Sequence, residues 1–520
     1  MSESVAPSPM LDTRPPDTNP AAALPLNPRD GLATVITGDY ASVTSLVSGS
    51  LTRTVATVAI PAVASTLLMT LFATVDAFWV GTRIGPRGLA AVSTSIFWVW
   101  MLVSCAEMVS VGLTAVASRR HGERRHDAAA RAVGDAIVFA VALASVLGVT
   151  GILRLDALFG IMHTPPEVTA LGERYLGTYL LGAPLIFGFF AVDAAFRAAG
   201  DTRTPFLLLL GCVLTALALD PVLILGLGPA PRLGIAGSAT ATLIANYAAF
   251  FGLIGYIYIK DLPLRLRGRE LRYLWCDLAI MKTILVKGFP MGLQMIIISL
   301  SALALVGLVN REGVDTTAAF GVAMQLWTYV QMPAMALGAA VSAMAAQNIG
   351  AGRWDRVGRI TRIGIVQTVI ITAVMIVALT LADRAVLALF MGGDSPALPI
   401  AKHIHVVATW NFLLFGVMMV LFGTVRANGA VWIPLIVLAV GMVPVRFGYI
   451  FATYGWLGAD AIWTSFPVTS FINLALAIGF YVHGGWKKAR MTLGEQPCEE
   501  ETTEEALATR EPGGALNPAG

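Results

Sequence analysis

Residues 196–205 read FRAAGDTRTP, and residues 425–434 read VRANGAVWIP. Arg197 aligns with Arg426, Ala198 with Ala427, Gly200 with Gly429 and Pro205 with Pro434, all at one shift, 426 − 197 = 229. The same shift pairs Pro61 with Pro290, Ala90 with Ala319 and Trp98 with Trp327. Matches at one spacing across such separated stretches mark an internal duplication, which decides the architecture before any single element is read.

Composition fixes the medium around that repeat. Of 520 residues, 56% are hydrophobic and 13% charged, with a mean hydropathy of +0.74; soluble domains are about one quarter charged. The class is an all-α polytopic membrane protein. A spanning helix needs roughly 20 apolar residues. Breaking the chain at its polar clusters leaves twelve such runs, at 55–81, 88–118, 131–153, 170–197, 205–227, 234–258, 284–309, 317–347, 358–382, 403–426, 432–455 and 458–483. Backbone facing lipid must bond within its own segment, so all twelve are expected to be helices.

Six runs per copy is an even number, so the two copies have the same orientation. That predicts two six-helix lobes related by a pseudo-two-fold axis along the membrane normal, with a cavity between them. The expected organisation is a disordered N-terminal tail at 1–52, lobes at 53–258 and 284–485, a linker at 259–283 and an acidic disordered tail at 486–520. The linker stretch LRLRGRELRYLWCDL (264–278) is basic and amphipathic and is expected on the membrane surface. The N-terminus lacks the basic and apolar regions of a secretory signal.

Net charge is only +3, but its distribution orients the chain. Loop 119–131 carries five Arg, 259–287 seven Lys or Arg and 353–362 four Arg, and the last run is followed by Lys487, Lys488 and Arg490. The alternate loops are poor in both. The positive-inside rule therefore puts both termini in the cytoplasm. Four cysteines (Cys105, Cys212, Cys276 and Cys498) show no metal-ligand spacing and read as small packing residues.

With these residues in view the chain resembles a known family. FRAAGDTRTP resembles the stretch closing the fourth helix of the multidrug and toxic compound extrusion (MATE) transporters. AMAAQNIGAGRWDRV (343–357) looks like that family's glycine turn after its eighth helix. TVDAFWVGTRIGPRGLAAV (74–92) resembles the end of the first helix, and LDPVLILGLG (219–228) with LGIAGSATAT (233–242) the fifth and sixth. The resemblance covers roughly 53–485. It implies two six-helix lobes in a bacterial cytoplasmic membrane and export of an amphipathic organic cation against inward flow of protons or sodium ions. No cofactor and no nucleic acid is implied; the expected partners are a small-molecule substrate, the coupling ion and the bilayer, with the chain acting as a monomer. One departure is AVASRRHGERR (115–125), where Arg119 and Arg120 replace the usual Gln and Asn; these read as a charge anchor at the inner face.

An ion site follows from depth and from the resemblance together. Asp76 lies about five residues, or roughly 8 Å at 1.5 Å per residue, below the outer end of the first run. Asp220 falls at a similar depth in the fifth run and Thr242 in the sixth. Pro221 lacks an N–H and frees the carbonyl of Leu217, so Pro221 and Pro61 are candidate hinges. Paired carboxyls beside a free carbonyl suit a hard cation such as sodium and equally suit a shared proton. The resemblance carries the first-lobe cation site onto Asp76, Asp220 and Thr242. The family's Asn one turn before the second Asp is here Ala216, which tilts towards protons, with Asn246 as a compensating group. Shifted by 229, Asp76 lands on Leu305 and Asp220 on Tyr449, so coupling is expected in the first lobe alone, as in the DinF-like branch. The alternative is an Asp76 that merely caps or pairs near a helix end.

Other polar groups stay open between two readings. Glu107 faces the cavity or bonds within its own lobe. Arg446 pairs with a first-lobe acid or is structural. Gln325, Trp327, Tyr329, Gln331 and Met332 either line an adaptable pocket or simply pack. A lipid-linked oligosaccharide flippase is the rival transporter. An intramembrane enzyme is the rival of another class, and it lacks support. His121, His126 and His163 are in loops, His403 and His405 begin the tenth run and His483 ends the twelfth.

Overall fold

A computed structural model describes residues 50–84, 86–162, 166–227, 231–260, 277–383, 386–388 and 395–489, all within one compact unit, Ser45–Gly520. Most of both expected tails and of the amphipathic linker, with His163, Cys276 and Cys498, lie outside these residues; of the tails, Leu51 and Thr52 begin the first helix and Gly485–Lys488 forms a short 3-10 helix with Trp486 buried. The spans are α1 (Leu51–Arg83), α2 (Pro86–Gly122), α3 (His126–Leu153), α4 (Pro166–Ala199), α5 (Arg203–Leu225) and α6 (Ile235–Ile259) in the first lobe. The second lobe holds α7 (Leu278–Val309), α8 (Val314–Gly350), α9 (Trp354–Leu381), α10 (Ala397–Ala408 with Asn411–Ala427), α11 (Trp432–Val440 continuing through Gly441–Val445 to Arg446–Leu457) and α12 (Asp460–His483). A short helix, Leu155–Ile161, caps the α3–α4 connection. Among the described residues eleven helices are long and apolar enough to cross a membrane, and α10 makes the twelfth as two pieces bent by 44°.

That bend divides the tenth span, which the sequence showed as one apolar run at 403–426. At the break Asn411 turns its amide onto the Ala408 carbonyl, and its Oδ1 accepts from Ser470 of α12. The polar side chains thus take up groups that the broken ladder leaves free. α11 is also irregular, forming a π turn over Gly441–Val445, where Pro444 has no N–H to give. α1, by contrast, runs unbroken through Pro61, whose carbonyl accepts from Ser65 Oγ at 2.9 Å. Hydroxyls along this helix fold back the same way, Thr70 onto Thr66 and Thr74 onto Thr70, which keeps them bonded in an apolar bundle.

The two repeat turns close alike: Gly200 and Gly429 take φ of 92° and 83°, a left-handed conformation that a side chain resists. The second lobe packs around aromatic side chains, with Phe320, Trp327, Phe412 and Trp463 all buried. The seam between the lobes is built by α1 and α2 against α7 and α8. On the side that carries the start of α1 and the end of α12 it is tight. Val55, Val58, Ala59 and Val63 of α1 pack on Leu337, Val341 and Met344 of α8. There α2 touches α7 backbone to backbone: a Cβ on Gly288 would lie 1.8 Å from the Met108 oxygen, and one on Gly112 2.2 Å from the Ile284 oxygen. Gly122 and Gly350 make the same close approach between α2 and α8.

Candidate ion and substrate site

Two turns before the end of α1, Asp76 is 8% exposed, and its Oδ1 accepts a 2.5 Å hydrogen bond from Ser238 Oγ of α6. Asp220 of α5 is fully buried, and neither of its carboxyl oxygens has a hydrogen-bond partner. The charge of Asp76 acts on Asp220. Tyr175 and Tyr179 of α4 feel both acids, and Tyr179 reaches Thr242. Four helices thus deliver two carboxyls and four hydroxyls to one buried layer. Among the described residues no cationic side chain acts on either acid.

Packing explains the convergence. Gly237 of α6 lies against α5 so closely that a Cβ would be 2.7 Å from the Leu223 carbonyl carbon and oxygen. One turn away on α5, Pro221 follows Asp220 and leaves the Leu217 carbonyl without its intrahelical donor. Ala216, where resemblance leads one to expect Asn, is fully buried.

Asp76 and Asp220 are therefore brought together. Thr242 is near but one turn displaced: Ser238 makes the contact with Asp76, and Thr242 Oγ1 donates to the Ser238 carbonyl at 3.2 Å. Asn246 turns its amide onto the Thr242 carbonyl at 2.8 Å, so its donor goes to its own helix. Ser238, Tyr175 and Tyr179 were missed by sequence reasoning. All three had a signal: Tyr175 and Tyr179 are four apart, as are Ser238 and Thr242, so each pair shares a helix face.

The α8 stretch divides by helical face. Tyr329 OH meets Thr74 Oγ1 at 2.7 Å, and Gln325 Nε2 donates to the same hydroxyl at 3.2 Å, placing both residues on the seam two residues from Asp76. Trp327 corrects the pocket expectation. Two positions from Gln325 is about 200° around a helix, so its ring points into the second lobe. There it is 4% exposed and donates to Thr409 Oγ1 at 2.8 Å. Gln331 and Met332 are half-buried.

Glu107 of α2 lies towards the terminal side of the seam. It feels the charges of Arg197 and Asp193 in its own lobe and of Arg426 in the other. The repeat-related arginines thus approach one acid from both lobes, which neither sequence reading of Glu107 foresaw. Arg197 is held by Asp193 at 2.7 Å and by Ser110 Oγ at 2.7 Å. Arg119 and Arg120 both pair with Glu123, and Arg119 reaches Asn428 of the other lobe at 3.5 Å. Among the described residues Arg446 pairs with no first-lobe acid.

The chain is similar to known proteins. The MatE family model matches residues 61–222 and 290–451, two segments offset by 290 − 61 = 229, the shift of the repeat. The probable multidrug resistance protein YoeA of Bacillus subtilis is 33% identical over 446 residues, covering 85% of this chain and 96% of that protein. An FAD transporter of Shewanella oneidensis is 27% identical over 315 residues, covering 60% of this chain and 68% of its own. The outward-facing structure of a multidrug resistance MATE family transporter superposes with a TM-score of 0.77 at 20% identity, covering 85% of this chain and 96% of that one. This chain belongs to the MatE family, whose members are membrane transporters and not enzymes.

Proposed function

We propose that the protein is a secondary antiporter that exports amphipathic organic cations in exchange for protons or sodium ions by alternating access. The observation that carries this reading is the pair Asp76 and Asp220, which share one buried layer with no cationic side chain among the described residues acting on them. A bare carboxylate so buried needs a cation or a proton on it, and the site supplies neither from the chain. The relative named a multidrug resistance protein supports export of foreign compounds as the physiological direction. In this reading the tight glycine seam is the closed cytoplasmic side, in a bacterial inner membrane with both termini inside. The protein works as a monomer and needs no cofactor.

Ion binding at the acids weakens substrate on the seam beside Gln325 and Tyr329, and substrate leaves outward. By linkage, substrate must weaken ion binding by the same factor. Adding a fluorescent organic cation such as ethidium to weakly buffered, detergent-solubilised protein tests this. Proton release that is lost in Asp220→Asn supports a proton antiporter. Displacement of bound radioactive sodium, with no proton released, assigns sodium. Ethidium binding with neither ion displaced overturns the coupling.

A further inference from the structure

The second lobe holds a charge that nothing among the described residues answers. Arg446 of α11 is 6% exposed, its Nε is buried without a partner, and no charge of either sign acts on it. It is 446 − 432 = 14 residues from the start of α11 and 457 − 446 = 11 from its end. At 1.5 Å per residue the nearer end is about 16 Å away, beyond the reach of a snorkelling side chain. The described acids of the second lobe cannot serve it. Glu312, Asp315, Asp355, Asp383 and Asp460 all lie at helix ends, and Glu312, Asp355, Asp383 and Asp460 have partners in Tyr454, Arg353, Lys402 and His403.

Its surroundings are arranged around it. The guanidinium lies 4.6 Å over the ring of Phe466 on α12, and Phe466 packs at 5.0 Å on Trp327. On the same face of α12 follow Thr469 and Asn473, each 1% exposed, whose Oγ1 and Oδ1 are buried without partners. Asn473 lies directly against Gly441 of the π turn, a helix irregularity frequent at functional sites. The repeat sharpens the contrast. Arg446 corresponds to Leu217, 446 − 229 = 217, one turn from Asp220. The related helices α5 and α11 therefore carry opposite charges at neighbouring levels.

We infer that Arg446, with Thr469, Asn473 and the Phe466 ring, forms an anion subsite in the second lobe that takes a carboxylate borne on an aromatic frame. The guanidinium fork matches a carboxylate's two oxygens, and the Phe466 ring suits an aromatic body. As part of the transport cycle the inference rests on the antiport reading: cargo then presents a cationic end to the first-lobe acids and an anionic group to Arg446.

The probe is 1-naphthoate, titrated by fluorescence anisotropy onto full-length protein in detergent with no ion gradient, beside inorganic phosphate. Wild type is expected to bind naphthoate and to gain thermal stability from it. Arg446→Met is expected to lose at least tenfold in affinity, to gain no stability from naphthoate, and to melt no lower than wild type, since it removes an unanswered buried charge. Arg446→Lys, which keeps the charge and loses the fork, should fall between them. Naphthoate binding is read with no ion gradient and requires no transport, so a failed antiport reading leaves this result standing. Naphthoate affinity unchanged in Arg446→Met overturns the subsite, as does no binding to wild type. A lower melting temperature of Arg446→Met with no naphthoate effect assigns a packing role. Phosphate binding that depends on Arg446 without naphthoate binding assigns a small inorganic anion and overturns the cargo carboxylate.

Discussion

Gly288→Ala puts a methyl where the α2 backbone already is. Its Cβ would lie 1.8 Å from the Met108 oxygen and 2.8 Å from the Met108 carbonyl carbon, against an ordinary contact of 3.4 Å or more. α7 would have to withdraw from α2 by about 1.6 Å along that direction, being 3.4 − 1.8. The obstacle is backbone and not the tip of a flexible side chain, so the cost falls at the upper end of overpacking, about 3 kcal/mol. At 1.4 kcal/mol per tenfold that is roughly a 100-fold shift between states. It falls only on the state with the terminal side closed, because parting the lobes removes the contact. Spin labels at Arg125→Cys after α2 and Arg359→Cys on α9, with the four native cysteines replaced, report the separation of the lobes there by double electron–electron resonance. Gly288→Ala is expected to move most of the distance distribution to longer values, and Gly122→Ala, at the α2–α8 contact, to do the same. A folded Gly288→Ala protein with the wild-type distribution would refute the claim that this seam is the gate.

The carboxyl layer makes separate demands. Ser238→Ala removes the 2.5 Å bond to Asp76 and is expected to slow gradient-driven transport while costing about 1–3 kcal/mol of stability, read as a lower melting temperature. Asp220→Asn should behave differently: it relieves a buried carboxyl with two unbonded oxygens, so transport is lost while melting is unchanged or raised. A fall in its melting temperature would mark Asp220 as structural. Trp327→Ala is expected to cost about 3–5 kcal/mol as a core truncation, with substrate preference among the surviving protein unchanged. Tyr329→Phe, which keeps the ring and breaks the Thr74 contact, should alter substrate affinity with little change in melting.

What the chain made legible was whatever depends on period and spacing. The shift of 229 placed both lobes, and counting residues from helix ends put Asp76 and Asp220 at one depth. What it hid depends on which way a face turns. Thr242 and Ser238 are one turn apart on α6, and depth alone does not say which reaches Asp76; the close approach at Gly237 settles it. Trp327 lies between Gln325 and Tyr329 in the chain but on the opposite side of α8. The bend in α10 carries no glycine or proline as a signal: Asn411 satisfies the Ala408 carbonyl and is itself held by Ser470, 59 residues along the chain. Glu107 was ambiguous for the same reason, since the arginines that flank it come from turns far along the chain.

The central claim is that Asp76 and Asp220 couple an ion to export. Its most direct test is uptake of ethidium into proteoliposomes under an imposed pH gradient or, separately, a sodium gradient, with wild type and Asp76→Asn side by side. The account predicts transport driven by one of these gradients in wild type and none above empty vesicles in Asp76→Asn. Equal gradient-driven transport by the two proteins would contradict it and leave Asp76 a structural acid.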